Sequence, residues 1–191
     1  MGIGRFIGCL VIIAVFLVLQ LLSGCTAPSP PLTTNGGYSL VLTSDAFRAN
    51  GSIPLRYTCN GQEESPPLTW GNVPTGTRSF APIVEDPDAP VGTFTHWILY
   101  NIPGEQRDLP SGIASEKELP EGEIQGTNSN RKTGFTGPCP PRRSTHRYVF
   151  TLFALDTRLD LSGTVDASTL RHVMEGHVLG TGQLIGTYMR S

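Results

Sequence analysis

Two stretches of this chain carry residue types that can do chemistry. The first is Asp86-Pro87-Asp88-Ala89-Pro90, followed after a short glycine-containing turn by Phe94-Thr95-His96-Trp97. The second runs from Gly134 through Gly137-Pro138-Cys139-Pro140-Pro141 and Arg142-Arg143-Ser144 into Thr145-His146-Arg147-Tyr148. Each proline sets its own φ and biases the residue before it away from the helical region, so the first loop presents its carboxylates in one direction. A strained or cis Ala89–Pro90 bond fits such a loop. An ordinary tight corner, with Asp88 satisfying local amides, is the simpler alternative. One acid and two imidazoles could form an acid–base pair or a two-histidine metal site. No H-x-H, H-E-x-x-H or C-x-x-C spacing supports a metal, and no G-x-S-x-G element supplies an activated nucleophile. The glycines at 180, 182 and 186 do not form G-x-G-x-x-G and precede no helix, which disfavours a dinucleotide. Neither a metal, a cofactor nor a catalytic residue is expected.

The elements that must position these residues are short and β-favouring. Runs at Tyr38–Leu42, Ile53–Thr58, Ser79–Val84, Phe94–Tyr100 and Tyr148–Leu155 recur between turn signals. That spacing predicts a mainly β protein, an antiparallel β-sandwich. The last run is apolar at nearly every position, which suits a central strand covered on both faces. Alternation puts His146 and Tyr148 on one face and Arg147 on the other. One or two short helices are expected near the C-terminus. The clear one is Ala167–Glu175, capped by Asp166, with Leu170, Val173 and Met174 on one face and Gly176 as its stop. Gln183–Tyr188 reads as a closing strand and Asn50-Gly51 as a turn. Between Pro103 and Thr136 apolar residues are few, and Glu116, Glu118, Glu121 and Glu123 read as a solvated acidic loop.

With 191 residues the chain holds one folded domain. Its net charge of −2 gives no general attraction to a polyanion, so no nucleic-acid partner is expected. Residues 1–24 contain the apolar run Phe6–Leu19 and read as a signal peptide, a short transmembrane anchor being the alternative. Leu22-Ser23-Gly24-Cys25 resembles the lipobox of bacterial lipoproteins, which implies a mature chain beginning at a lipidated Cys25. Residues 25–37, rich in proline and glycine, then form a tether, and residues 38–191 the domain. The expected location is extracytoplasmic, at a membrane held by acyl chains. Cys59 and Cys139 remain in the domain. They can form a disulfide in an oxidising compartment or stay as two thiols, and their spacing does not choose between these.

Asp-Pro-Asp-Ala-Pro with its downstream His-Trp, then Gly-Pro-Cys-Pro-Pro and Thr-His-Arg-Tyr, resemble the two signature regions of the phosphatidylethanolamine-binding protein family, in its bacterial and archaeal Raf-kinase-inhibitor-like branch. Pro66-Pro67-Leu68-Thr69-Trp70 and Glu175-Gly176-His177-Val178-Leu179 extend the likeness from about Tyr38 to Arg190. The resemblance implies a β-sandwich with a small anion pocket at one end, taking phosphate, carboxylate or a phospholipid head group. Carried over by motif, the ligand-binding residues are Asp86, His96, Gly137, His146 and Tyr148. Imidazole and phenol donors and amides around a glycine suit a phosphoryl oxygen. Asp86 would repel an anion, so its implied role is to orient a histidine and raise its proton affinity. Arg142-Arg143-Ser144 stands where relatives commonly have a glycine and is expected to add positive charge near the mouth.

The leading expectation is a lipid-anchored binding protein for a small anionic ligand. The alternatives are an inhibitor or regulator of a partner enzyme, a protease or kinase, and, more remotely, a phosphoester hydrolase.

Overall fold

A computed structural model describes residues 37–191. The expected signal peptide, Cys25 and all of the tether except Gly37 lie outside the described residues. In chain order the strands are β1 (Tyr38–Ser39), β2 (Val41–Thr43), β3 (Leu68–Gly71), β4 (Ser79–Asp86), β5 (Phe94–Tyr100), β6 (Ile102–Pro103), β7 (Asp108–Leu109), β8 (Ile124–Gln125), β9 (Thr145–Leu155) and β10 (Val178–Met189). Among the described residues one α-helix occurs, α1 (Ala167–Met174), capped by the Asp166 side chain accepting from the Thr169 amide. Among the described residues no helix is long and apolar enough to cross a membrane.

One sheet runs β1-β10-β9-β4-β5-β8, with β6 also on β4, and a smaller sheet runs β2-β3-β7. All these pairings are antiparallel except β1 with β10. The expected antiparallel sandwich is therefore the architecture found. Between the sheets lies a core built on Leu42, Leu68, Trp70, Phe80, Trp97, Phe150 and Leu152. On the other face of the large sheet, Ile83, Ile98, Phe153 and Leu155 pack against Leu170 and Met174 of α1. β9 is covered on both faces, which is why its sequence is apolar nearly throughout.

Three local expectations are corrected. Ile53–Thr58 is not a strand: Leu55–Tyr57 makes one 3₁₀ turn after the extended Pro54, whose carbonyl accepts from the Tyr57 amide and which has no N–H to serve a ladder. The Ala89–Pro90 bond is trans, since no cis peptide occurs in the described residues. The stretch from Pro103 to Thr136 is not simply a solvated acidic loop. Leu119 and Gln125 donate backbone hydrogen bonds to Glu123 and Lys117, closing a small hairpin that carries Glu123 and Gln125 inward. The Gln125 side chain accepts from Trp97 Nε1 and donates to the carbonyls of Ala114 and Glu116.

Cys59 and Cys139 form a disulfide across a separation of 80 residues. It pins the loop before β9 to the 3₁₀ turn, assisted by the Cys59 amide donating to the Pro138 carbonyl. A covalent loop this long lowers the entropy of the unfolded chain by roughly 4–5 kcal/mol in the chain-entropy model. Replacing both cysteines by serine is expected to cost about 2–4 kcal/mol in denaturant unfolding, with the strand order unchanged by amide hydrogen exchange.

Candidate ligand-binding site

β4 and β9 pair from Ser79↔Leu155 to Glu85↔Val149 and then diverge. Past that point two side chains continue the connection that the backbone stops making. Asp86 Oδ2 accepts from His146 Nδ1 at 2.7 Å, and Asp88 takes the backbone N–H and the guanidinium of Arg147 at 2.6–2.9 Å. Successive residues of β9 point to opposite faces, so the first bond is buried and the second exposed. The Asp88 amide closes an Asx turn on Asp86 Oδ1 at 2.8 Å, so one aspartate braces the other. The Arg147 guanidinium hydrogen-bonded to Asp88 lowers its carboxyl to about 2.

His96 reaches the same place by a different device. Val84 pairs with Trp97 and Glu85 with Thr95, leaving His96 as the extra residue of a β-bulge. Strict alternation from Trp97 would put His96 on the helix side with Ile98 and Tyr100. The bulge instead turns it to the Trp97 side, where its ring lies 5.2 Å from that of Tyr148 and 4.7 Å from that of Phe94. His96 Nδ1 donates to the Thr136 carbonyl at 2.7 Å, and the Thr136 amide returns a bond to the His96 carbonyl at 3.0 Å.

Asp86, His96 and His146 are each only 4% exposed. All three line a cavity of about 250 Å³, with Gly137, Asn130, Phe94 and the Pro90–Val91 rim among its other walls. Because carbonyl and carboxylate oxygens only accept, both Nδ1 atoms carry hydrogen, and among the described residues neither Nε2 has a partner. A neutral ring offers a lone pair at Nε2, and a protonated ring offers a donor. Burial pulls the pKa of His96 down, with the Thr136 carbonyl and the Asp86 charge opposing. Among the described residues no three His, Cys, Asp or Glu side chains form a metal-binding cluster.

Four of the five residues singled out by motif therefore surround one hollow. Tyr148 sits a layer behind, against His96 and outside the lining. Burial, then the charge of Asp86, raises its pKa, so the phenol keeps its proton. Its oxygen is buried without a hydrogen-bond partner among the described residues. Arg142 and Arg143, expected to add positive charge near the mouth, are exposed and follow the lining residues Pro140 and Pro141 without lining the cavity themselves; their backbone pairs with Arg190. Thr136 and Asn130 were missed: nothing in their types separates them from the polar loop around them. Gly137 is glycine for space, since a Cβ there would lie 2.9–3.0 Å from the backbone of Thr58 and Cys59.

Residues 43–189 match the sequence profile of the phosphatidylethanolamine-binding protein family. The chain belongs to that family. As a phosphatidylethanolamine-binding protein family member it is 46% identical over 149 residues to a UPF0098 protein of Methanothermobacter thermautotrophicus, covering 78% of this chain and 98% of the relative. A UPF0098 protein of Pyrococcus abyssi is 40% identical over 184 residues, covering 95% and 98%. Among solved structures, a Chlamydia trachomatis protein described as a homologue of the family superposes with a TM-score of 0.74 at 36% identity, covering 81% of this chain and 100% of that one. Escherichia coli YbcL, described as a new member of the mammalian family, gives 0.74 at 30% identity, covering 80% and 99%.

Two outcomes follow for this family member. Gly137→Ala should cost about 1–3 kcal/mol in thermal or denaturant unfolding, because the crowding atoms are backbone and cannot swing aside. His96 should make the unliganded protein less stable as pH falls. The unfolded chain takes up a proton near pH 6.5 and the folded chain resists it, so the penalty is absent above that value and grows below it. Unfolding free energies between pH 7.5 and 5.5 should show this slope, and His96→Gln should flatten it.

Proposed function

We propose that this protein is an extracytoplasmic, lipid-anchored binding protein whose cavity takes the phosphate or carboxylate group of a small ligand or of a phospholipid head group. The observation that carries the reading is the common wiring of two histidines. Each commits Nδ1–H to an oxygen of the protein, so Nε2 is the edge left to a ligand in the hollow they share. Hydrogen bonds from imidazolium to an oxyanion are charge-assisted and belong to the stronger class. Asp86 holds the His146 ring in place, and the Tyr148 phenol, protonated and unpartnered, is a further donor if a ligand reaches past His96.

Catalysis is not part of this reading. The hydroxyl and sulfur groups in the lining are Thr136 and Cys139. The first accepts from Asn128 Nδ2 at 3.0 Å and the second is in the disulfide, so neither is paired with a base. The membrane side of the proposal rests on the Leu-Ser-Gly-Cys sequence ending at Cys25. The disulfide fits an oxidising compartment. Val91, 94% exposed at the rim, would give a bound phospholipid an apolar contact.

Inorganic phosphate titrated by calorimetry is the direct test. Neutral His96 must gain a proton before it can donate from Nε2, so affinity should fall as pH rises from 5.5 to 8. His146→Ala should weaken binding roughly tenfold or more, the scale of one hydrogen bond to a charged group. Vesicles containing phosphatidylethanolamine separate the two ligand sources: Val91→Ser, which removes the apolar contact and adds no charge at the rim, should weaken vesicle binding more than phosphate binding. Phosphate affinity that ignores both pH and His146→Ala would refute the pocket, and steady release of phosphate from a phosphoester would favour a hydrolase. Mass spectrometry of the mature N-terminus decides the anchor, which requires acylation at Cys25.

A further inference from the structure

A second cavity, of about 360 Å³, lies between the segment around Gln106–Ile113 and the hairpin that carries Glu123. It shares no lining residue with the histidine cavity. Leu109, Pro110, Ile113 and Leu119 give it apolar walls, and Ile113 and Leu119 continue into the main core. Two polar side chains interrupt those walls. Glu123 is 5% exposed, and its Oε2 is buried with no hydrogen-bond partner among the described residues. Gln106 Oε1 is in the same condition, its amide nitrogen being committed to the Asp108 carbonyl.

An acceptor carboxylate and an acceptor amide oxygen beside an apolar hollow lack what only a donor can supply, and for the carboxylate a cationic donor is best. The protein's own cations do not supply it. Arg107 turns to the carbonyls of Gly104 and Gln106, Arg158 to that of Gly122 and Lys117 to that of Gly163. Among the described residues Glu123 forms no salt bridge. Glu121 at the edge of the cavity is exposed and adds negative charge where a ligand would enter.

We propose that this cavity binds a small organic ammonium ion, with the ammonium group hydrogen-bonded to Glu123 and Gln106 and the carbon chain against Leu109, Ile113 and Leu119. The volume lies within the range of small-ligand pockets and holds a chain of several carbons. The charge sets the preference for an amine over an alcohol of the same shape.

The test titrates the full-length protein, in an amine-free buffer, with n-butylammonium chloride and separately with 1-butanol, following the methyl resonances of Ile113 and Leu119 by NMR. Butylammonium should shift both and bind at least tenfold more tightly than butanol. Glu123→Gln should remove that preference while inorganic phosphate binding stays as in the parent protein. Equal binding of amine and alcohol, no shift at Ile113 and Leu119, or a preference that survives Glu123→Gln overturns the proposal. Should Glu123→Gln fail to fold, Gln106→Met serves in its place: loss of an acceptor should weaken butylammonium severalfold, and unchanged affinity refutes the site.

Discussion

The hydrogen bond between Asp86 and His146 is the constraint on which the histidine cavity depends. Both groups are almost fully buried, and they lie 60 residues apart in the chain. A carboxylate taken out of water without a partner is strongly destabilising, and removing one member of a buried pair costs about 3–5 kcal/mol. The ends of β4 and β9 therefore cannot splay without exposing or orphaning a charge. Because the bond is made through Nδ1, the same contact that stabilises the strand ends also decides which edge of the imidazole is free.

Around that bond the loops are held by unlike interactions that do not compete. Asp88 clamps Arg147 on the outer face of β9, the two Thr136–His96 hydrogen bonds, one from the backbone and one from the imidazole, tie the loop before β9 to β5, and the disulfide ties it to the 3₁₀ turn. Gly137 lets that loop lie directly on the backbone of Thr58 and Cys59. For the proposed ligand, little side-chain or loop entropy would then remain to be lost on binding, which is the physical content of a preorganised site.

The two faces of the large sheet illustrate how one strand can serve two purposes. Trp97 and Ile98 pack into opposite cores, and the bulge at His96 adds one polar residue to the inter-sheet side without breaking either. Glu85, next to the bulge, is on the helix side, where Arg171 of α1 meets it through two hydrogen bonds at 2.7–3.0 Å. An acid on each side of neighbouring residues 85 and 86 thus does different work: one docks the helix and the other holds a histidine.

Much was legible from the sequence because it rests on local chemistry. The apolar run of β9 requires cover on two faces, Asp166 requires a helix to cap, and the paired prolines around Asp86 and Asp88 require a stiff corner. The family resemblance also pointed to Asp86, His96, Gly137, His146 and Tyr148 as neighbours, and the first four line the hollow while Tyr148 lies behind His96. Other features were beyond it because they depend on residues distant in the chain. Tyr57 and its neighbours have the composition of a strand, but Pro54 and the lack of a ladder partner make them a turn. Glu123 has the type and company of a solvated acid, yet a hairpin closed by Leu119 and Gln125 draws it in. His96 would face the wrong side by simple alternation. Residue types and spacing by themselves determined which side chains could bond and how each segment prefers to run. Whether Nδ1 of each imidazole finds an oxygen, and on which side of the sheet, was decided by strand register, since a bulge of one residue reverses a side chain while leaving the sequence pattern unaltered.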